Sequence, residues 1–218
     1  MRRVFSPMLR MLVAAALLVY ASAAGAAEPA LANGVFLVAK PELSDPNFHE
    51  AVILITEPVA GGGPLGVIVN RPLAAKLSEV APNAPRLPEQ YDQIYAGGPV
   101  ARNQILFLLR THERPQPSLP VLADVYLSGD VKLLERIVSG EVKVEAFRAY
   151  AGFAGWAPGQ LQNEISRNDW YLINADADTI FSAEPARIWP EMVKRASTHS
   201  TRYDAAVEAR AAMLWRAR

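Results

Sequence analysis

Cysteine is absent from all 218 residues, so no disulfide braces the fold, no thiolate zinc site can form, and neither a cysteine nucleophile nor a lipoprotein cysteine exists. Histidine is scarce: His49, His112 and His199 are scattered without metal-ligand spacing, and no HExxH-type pair occurs. No serine stands in a Gly-x-Ser-x-Gly elbow. Net charge is missing too, with 22 basic against 22 acidic side chains. That balance argues against nucleic acid as a partner, because a phosphate backbone needs a basic patch or stripe. The chain has no internal repeat, and its longest apolar run falls short of the ~20 residues that cross a bilayer core.

What is present begins with a leader. Arg2, Arg3 and Arg10 form a positive segment, residues 11–23 are apolar, and Ala24-Gly25-Ala26 supplies the small-x-small pattern of a cleavage site. The expectation is a secretory signal over residues 1–26, cleaved after Ala26 or one residue later, with an uncleaved anchor as the alternative. Its removal takes away three arginines and no acids, leaving 19 basic against 22 acidic side chains, so the mature chain is slightly acidic. A periplasmic location follows.

The remainder reads as one domain. Gly34 to Ala39, Ala51 to Thr56 and Leu65 to Val69 are apolar runs of strand length, the last two joined through Gly61-Gly62-Gly63-Pro64 as a hairpin. Those glycines lead into a strand, whereas a phosphate-cradling loop enters a helix. A short helix is expected over residues 74–80, strands over 93–96, 104–109 and 121–127, and a helix over 131–139 ended by Gly140. Residues 142–150 alternate with period two and so partly expose one face. They feed Tyr150-Ala-Gly-Phe-Ala-Gly-Trp-Ala-Pro-Gly-Gln-Leu-Gln-Asn-Glu-Ile165, a strand delivered through a glycine turn into a helix. Residues 170–173 and 179–181 read as strands around an Asp176-Ala-Asp178 turn, and 184–196 as a helix. An amphipathic helical tail over 197–218 carries Tyr203, Val207, Ala211 and Leu214 beside Arg210, Arg216 and Arg218. It is expected to dock on the domain, with weak contact to a membrane surface as the sharper alternative.

Asn70-Arg71-Pro72 places a polar pair at a strand end, where Arg71 can offer its fork of donors to an anion or tie down backbone carbonyls. Gly97-Gly98-Pro99 is a second backbone-demanding turn. With Trp156 and Gln160, these give a candidate ligand-binding set of Asn70, Arg71, Gly97, Gly98, Trp156 and Gln160. No catalytic set and no metal site emerge, and no cofactor is expected. Asp176 and Asp178 are alternate acids in a turn, a pattern that serves turn geometry.

Five segments resemble, in order, the signature blocks of the YqgE/AlgH family: Gly34-Val-Phe-Leu-Val-Ala39, Leu43-Ser-Asp-Pro-Asn-Phe48, Gly66-Val-Ile-Val-Asn-Arg-Pro72, Tyr95-Ala-Gly-Gly-Pro-Val100 and Tyr150 to Ile165. Trp170, Ala175-Asp176 and Ile180-Phe181 continue the likeness, which spans about residues 32–196. The resemblance implies an α+β domain with a bent, barrel-like β-sheet body flanked by helices. It implies no particular activity; a transcriptional-regulator label attaches to the family through alginate production. Glu57-Pro58 and Arg102-Asn103 depart from the family pattern.

Three functions compete. The favoured one is a non-enzymatic binding or scaffold domain exported to the periplasm, with an unidentified small ligand or protein as partner. The second is a hydrolase or lyase in which Arg71 holds an anionic substrate and Glu164 or Asp176 is the base. The third, a cytoplasmic regulator, requires that the leader be misread.

Overall fold

The computed structural model describes residues 34–56, 63–80 and 87–198. The leader, the glycines at 61 and 62, and the tail beyond residue 198 lie outside them. Among the described residues no helix is long and apolar enough to cross a membrane.

The strands are β1 (Val35–Ala39), β2 (Val52–Thr56), β3 (Leu65–Ile68), β4 (Pro72–Lys76), β5 (Gln93–Ala96), β6 (Val100–Arg110), β7 (Leu119–Pro120), β8 (Val125–Ser128), β9 (Ala146–Gly155) and β10 (Trp170–Asn174). The helices are α1 (Leu77–Val80), α2 (Val131–Val138), α3 (Gln160–Ser166), α4 (Ala177–Ile180) and α5 over residues 185–198. The strands form one curled sheet in the order β10-β1-β2-β3-β9-β6-β8-β7, with β5 on β9 and β4 on β5. Every pairing is antiparallel except β5 with β9. The result is a single α+β half-barrel with helices packed around it.

The unbroken apolar runs of β1 and β2 follow from burial on both faces. Phe36, Val38, Val52, Leu54, Val67 and Val69 point to a cluster shared with Tyr95, Tyr150, Ile188 and Met192. Leu37, Ala39, Ile53, Ile55 and Ile68 point the other way, onto Trp156, Leu161 and Trp170. A third cluster sets Phe107, Leu109 and Phe147 against Leu133, Leu134 and Ile137 of α2. Each Leu, Ile or Phe buried in these layers stabilises the fold by roughly 1.5–3 kcal/mol.

Several local expectations are corrected. Residues 74–80 are not one helix: β4 runs to Lys76, and only Leu77–Val80 is helical. Pro72 stands first on β4, where its missing N–H costs no ladder bond. The stretch 121–127 becomes a bend followed by β8. Residues 179–181 are not a strand, because the Asp176 carboxylate accepts the Thr179 N–H at 2.7 Å and caps α4. The glycine stretch is not a turn until late: β9 continues through Gly155, and the turn comes at Trp156 to Gly159, with Gly159 at φ 77° heading α3.

Candidate functional site

Gly97-Gly98 and Gly152, singled out separately in the sequence, meet. β5 lies along one edge of β9 and β6 along the other, so Gly97 to Pro99 carries the chain across β9. A Cβ on Gly97 would stand 2.2 Å from the Gly152 carbonyl oxygen, and one on Gly98 would stand 2.1 Å from the Phe153 carbonyl carbon. Gly152 has φ +71°, and a Cβ there would meet the Val100 oxygen at 2.6 Å and the Gly98 oxygen at 2.9 Å. Backbone lies on backbone, which only glycine permits. The crossing is sealed by the Gly97 N–H donating to the Ala151 carbonyl at 2.9 Å and the Ile68 N–H donating to the Gly97 carbonyl at 2.8 Å.

Next to it, Asn70 and Arg71 hold the loop between β1 and β2. The Asn70 Oδ1 accepts from the Val52 N–H, and its Nδ2 donates to the Glu50 carbonyl, both at 2.9 Å. Arg71 donates through Nη1 to the Asn47 carbonyl and through Nη2 to the His49 carbonyl. Burial lowers the Arg71 pKa, opposed by the nearby charges of Asp45 and Glu50. The loop thus held carries Phe48, which stacks on Trp156 at 6.1 Å and meets Trp170 edge-on at 5.8 Å.

Glu164 completes the set. Its Oε2 accepts the indole N–H of Trp156 at 2.9 Å and that of Trp170 at 3.0 Å, while its Oε1 accepts Gln160 Nε2 at 2.9 Å. Gln160 also accepts the Ala157 N–H through Oε1. One carboxylate therefore ties α3 to the end of β9 and the start of β10. The six sequence candidates form a continuous structural chain: glycine crossing, Asn70-Arg71, the Phe48 loop, the two tryptophans, and the Glu164–Gln160 pair. Their side-chain polar atoms bond to the protein itself.

Two residues escaped the sequence reading. Arg148, not singled out in the sequence, is 7% exposed. Its Nη1 donates to the carbonyls of Val69 and Ile180, its Nη2 donates to that of Ser182, and the guanidinium lies 4.3 Å over the Tyr95 ring. The signal was a lone charge flanked by apolar and aromatic residues. Tyr150 beside it is wholly buried; its hydroxyl makes no well-formed hydrogen bond among the described residues, and the Arg148 guanidinium is the polar group that acts on it. Burial raises the pKa of both Tyr150 and Tyr95. Elsewhere, Arg110 bridges half-buried Asp124 at 2.7 Å and exposed Asp178 at 3.1 Å, and exposed His112 reaches Glu145 at 2.8 Å. No group of three metal-ligating side chains occurs among the described residues.

The curled sheet, its glycine crossing and the Trp–Glu–Trp clasp define a small α+β half-barrel domain of one recognisable class. The chain belongs to the AlgH-like family, whose model, described as DUF179: AlgH-like, matches residues 36–201. A UPF0301 protein of Chlamydia pneumoniae is 32% identical over 164 residues, covering 75% of this chain and 86% of that one. Another from Marinomonas sp. (strain MWYL1) is 38% identical over 152 residues, covering 67% and 79%. Among solved structures, the solution structure of AlgH from Pseudomonas aeruginosa superposes with a TM-score of 0.62 at 30% identity, covering 80% of this chain and 92% of that one. The crystal structure of protein DIP2367 from Corynebacterium diphtheriae gives 0.63 at 25% identity, covering 77% and 88%.

Proposed function

We propose that this protein is an exported, non-enzymatic binding or scaffold domain of the AlgH-like type, acting in the periplasm on a protein or small-ligand partner. One observation carries the non-enzymatic part: the groups that a hydrolase or lyase would need are already engaged in structural bonds. Glu164 holds two indoles and Gln160, Asp176 caps α4 and accepts Arg195 at 3.2 Å, and Arg71 holds two carbonyls. A general base must reach its substrate with a free lone pair in the right direction, and a carboxylate clasped by indoles is poorly placed for that. Export is supported by the leader over residues 1–26, which precedes the family match. The test is activity profiling of the purified mature protein against ester, amide, phosphate and lyase substrates, run beside thermal-shift ligand screening. A flat profile together with a ligand-dependent rise in Tm is expected. Turnover that disappears in Glu164→Gln or Asp176→Asn would overturn the proposal.

A further inference from the structure

The path of the sheet ends at β7 and at β10, and β4 hangs from β5 as a further edge. β7 is two residues long and ends in Pro120, while β4 opens with Pro72, pairs irregularly with β5 and closes with Lys76. Short length, proline, irregular pairing and lysine are devices that keep a sheet edge from recruiting another strand. β10 has none of them. Its five residues, Trp170-Tyr-Leu-Ile-Asn174, pair one for one with Ala39 to Val35 of β1 without a bulge, and carry neither proline, glycine nor charge. Two bonds flanking that ladder fix the direction of its main-chain groups: the Lys40 N–H donates to the Asp169 carbonyl at 3.1 Å, and the Ala175 N–H donates to the Gly34 carbonyl at 2.8 Å. In an antiparallel pair, successive residues turn their N–H and C=O alternately toward and away from the partner. Tyr171 and Ile173 therefore bond to β1, while Trp170, Leu172 and Asn174 turn theirs outward. No main-chain hydrogen bond from another described residue reaches those outward groups. Tyr171 and Leu172 are half-buried and Asn174 is exposed.

We propose that β10 is the pairing edge for a second copy of this chain, the two β10 strands running antiparallel across a twofold axis at Leu172 and joining two half-barrels into one sheet. The inference goes beyond the binding-domain reading and does not depend on it. In this register the strand is self-complementary. Leu172 meets Leu172 and Trp170 meets Asn174 at the outward positions, which exchange N–H and C=O. Tyr171 then stands opposite Ile173 on both sides of the axis, an aromatic against a β-branched residue, which is a stabilising cross-strand pair. Moving the axis to Trp170 or Asn174 sets Asn168 or Asp176 against Leu172 and loses the Tyr–Ile pairs. The flanks agree in charge. Lys40, held by Asn168 and the Tyr171 ring, is a surplus cation at the start of β10. Past its end, Asp178, with its side chain 91% exposed, is one of the carboxylates that share Arg110 with Asp124 and Glu145. Antiparallel pairing sets the basic end of each copy beside the acidic end of the other.

Sedimentation velocity of the mature chain over a concentration series tests this, with circular dichroism to check that each variant is folded. A monomer–dimer equilibrium with a dissociation constant on the order of tens of micromolar is expected of so small an interface. Leu172→Lys and Leu172→Glu each set like charges opposite one another at the axis and should weaken the dimer by at least about tenfold, while their one-to-one mixture should restore it. Asn174→Pro removes an outward N–H at an exposed position and leaves the β1 ladder intact, so about tenfold weakening without loss of fold is expected. It decides the matter alone should a charged variant fail to fold. A wild-type chain that stays monomeric up to about 1 mM would overturn the proposal and leave the binding-domain reading untouched. A dimer indifferent to Asn174→Pro, or folded Leu172 variants whose mixture fails to reassociate, would overturn it as well. A monomer whose edge instead takes up a foreign extended peptide, lost in Asn174→Pro, would assign β10 to another protein and also overturn it.

Discussion

Three glycine-to-alanine substitutions separate the two costs that the crossing imposes. Gly140 has φ +80° with nothing within 4 Å of a built Cβ, so Gly140→Ala measures the left-handed backbone alone, about 1–2 kcal/mol. Gly97 is not in the left-handed region, yet its Cβ would overlap the Gly152 oxygen at 2.2 Å. Gly97→Ala therefore measures the steric cost alone, and overpacking a tight backbone contact costs roughly 1–3 kcal/mol or more. Gly152→Ala combines both, because its φ is +71° and its Cβ would meet two carbonyl oxygens under 3 Å away. The sum, roughly 2–5 kcal/mol, is a large share of the 5–15 kcal/mol typical of a domain. Urea denaturation of the mature chain reads the series as midpoint shifts at constant slope. The predicted order of loss is Gly152→Ala above Gly97→Ala, with Gly140→Ala smallest. If Gly97→Ala costs no more than Gly140→Ala, the backbones do not cross as tightly as described and the reasoning fails.

Arg148→Met should cost roughly 2–4 kcal/mol, since two buried carbonyls and one half-buried one lose a charged donor; a midpoint shift under 1 kcal/mol would contradict that role. Glu164→Ala leaves two buried indole N–H groups without an acceptor, so a loss of roughly 2–4 kcal/mol with a shift in tryptophan emission is expected, and unchanged emission would count against the clasp. Arg71→Ala should speed amide hydrogen exchange around residues 47–50 while leaving β9 protected; uniform exchange across both would show that Arg71 does not hold the loop. The raised tyrosine values fix the sign of an alkaline effect. Above about pH 10 the unfolded chain loses phenolic protons that the native state keeps, so stability is full below that pH and falls above it. Tyr150→Phe, which removes the more deeply buried of the two phenols, should flatten the fall.

The elements that were legible in the sequence are those decided by local chemistry. β1, β2 and β3 announced themselves by apolar runs of strand length, and α2 by its Gly140 stop. Asp176 shows the limit: it was read as part of a turn, but it caps a helix, because the Thr179 N–H finds its carboxylate. The glycine pairs were visible as constrained backbone, while their mutual contact was not, since nothing in the periodicity of β5 or β9 says that one chain crosses the other. Glu164 was read only as a candidate base, because its indole partners precede and follow α3 in the chain. Arg148 was missed because one arginine within an apolar strand carries no local mark of its partners, the carbonyls of Val69, Ile180 and Ser182, which lie far along the chain. The candidate ligand set was thus found as residues under constraint, and the structure shows the constraint to be the fold's own framework.

The claim that organises the functional reading is export of a folded, binding domain, and the N-terminal sequence of the protein recovered from a periplasmic extract tests it most directly. A mature start at Ala27 or Glu28 is the predicted result. Recovery in the cytoplasmic fraction with Met1 or Arg2 still at its head would contradict it.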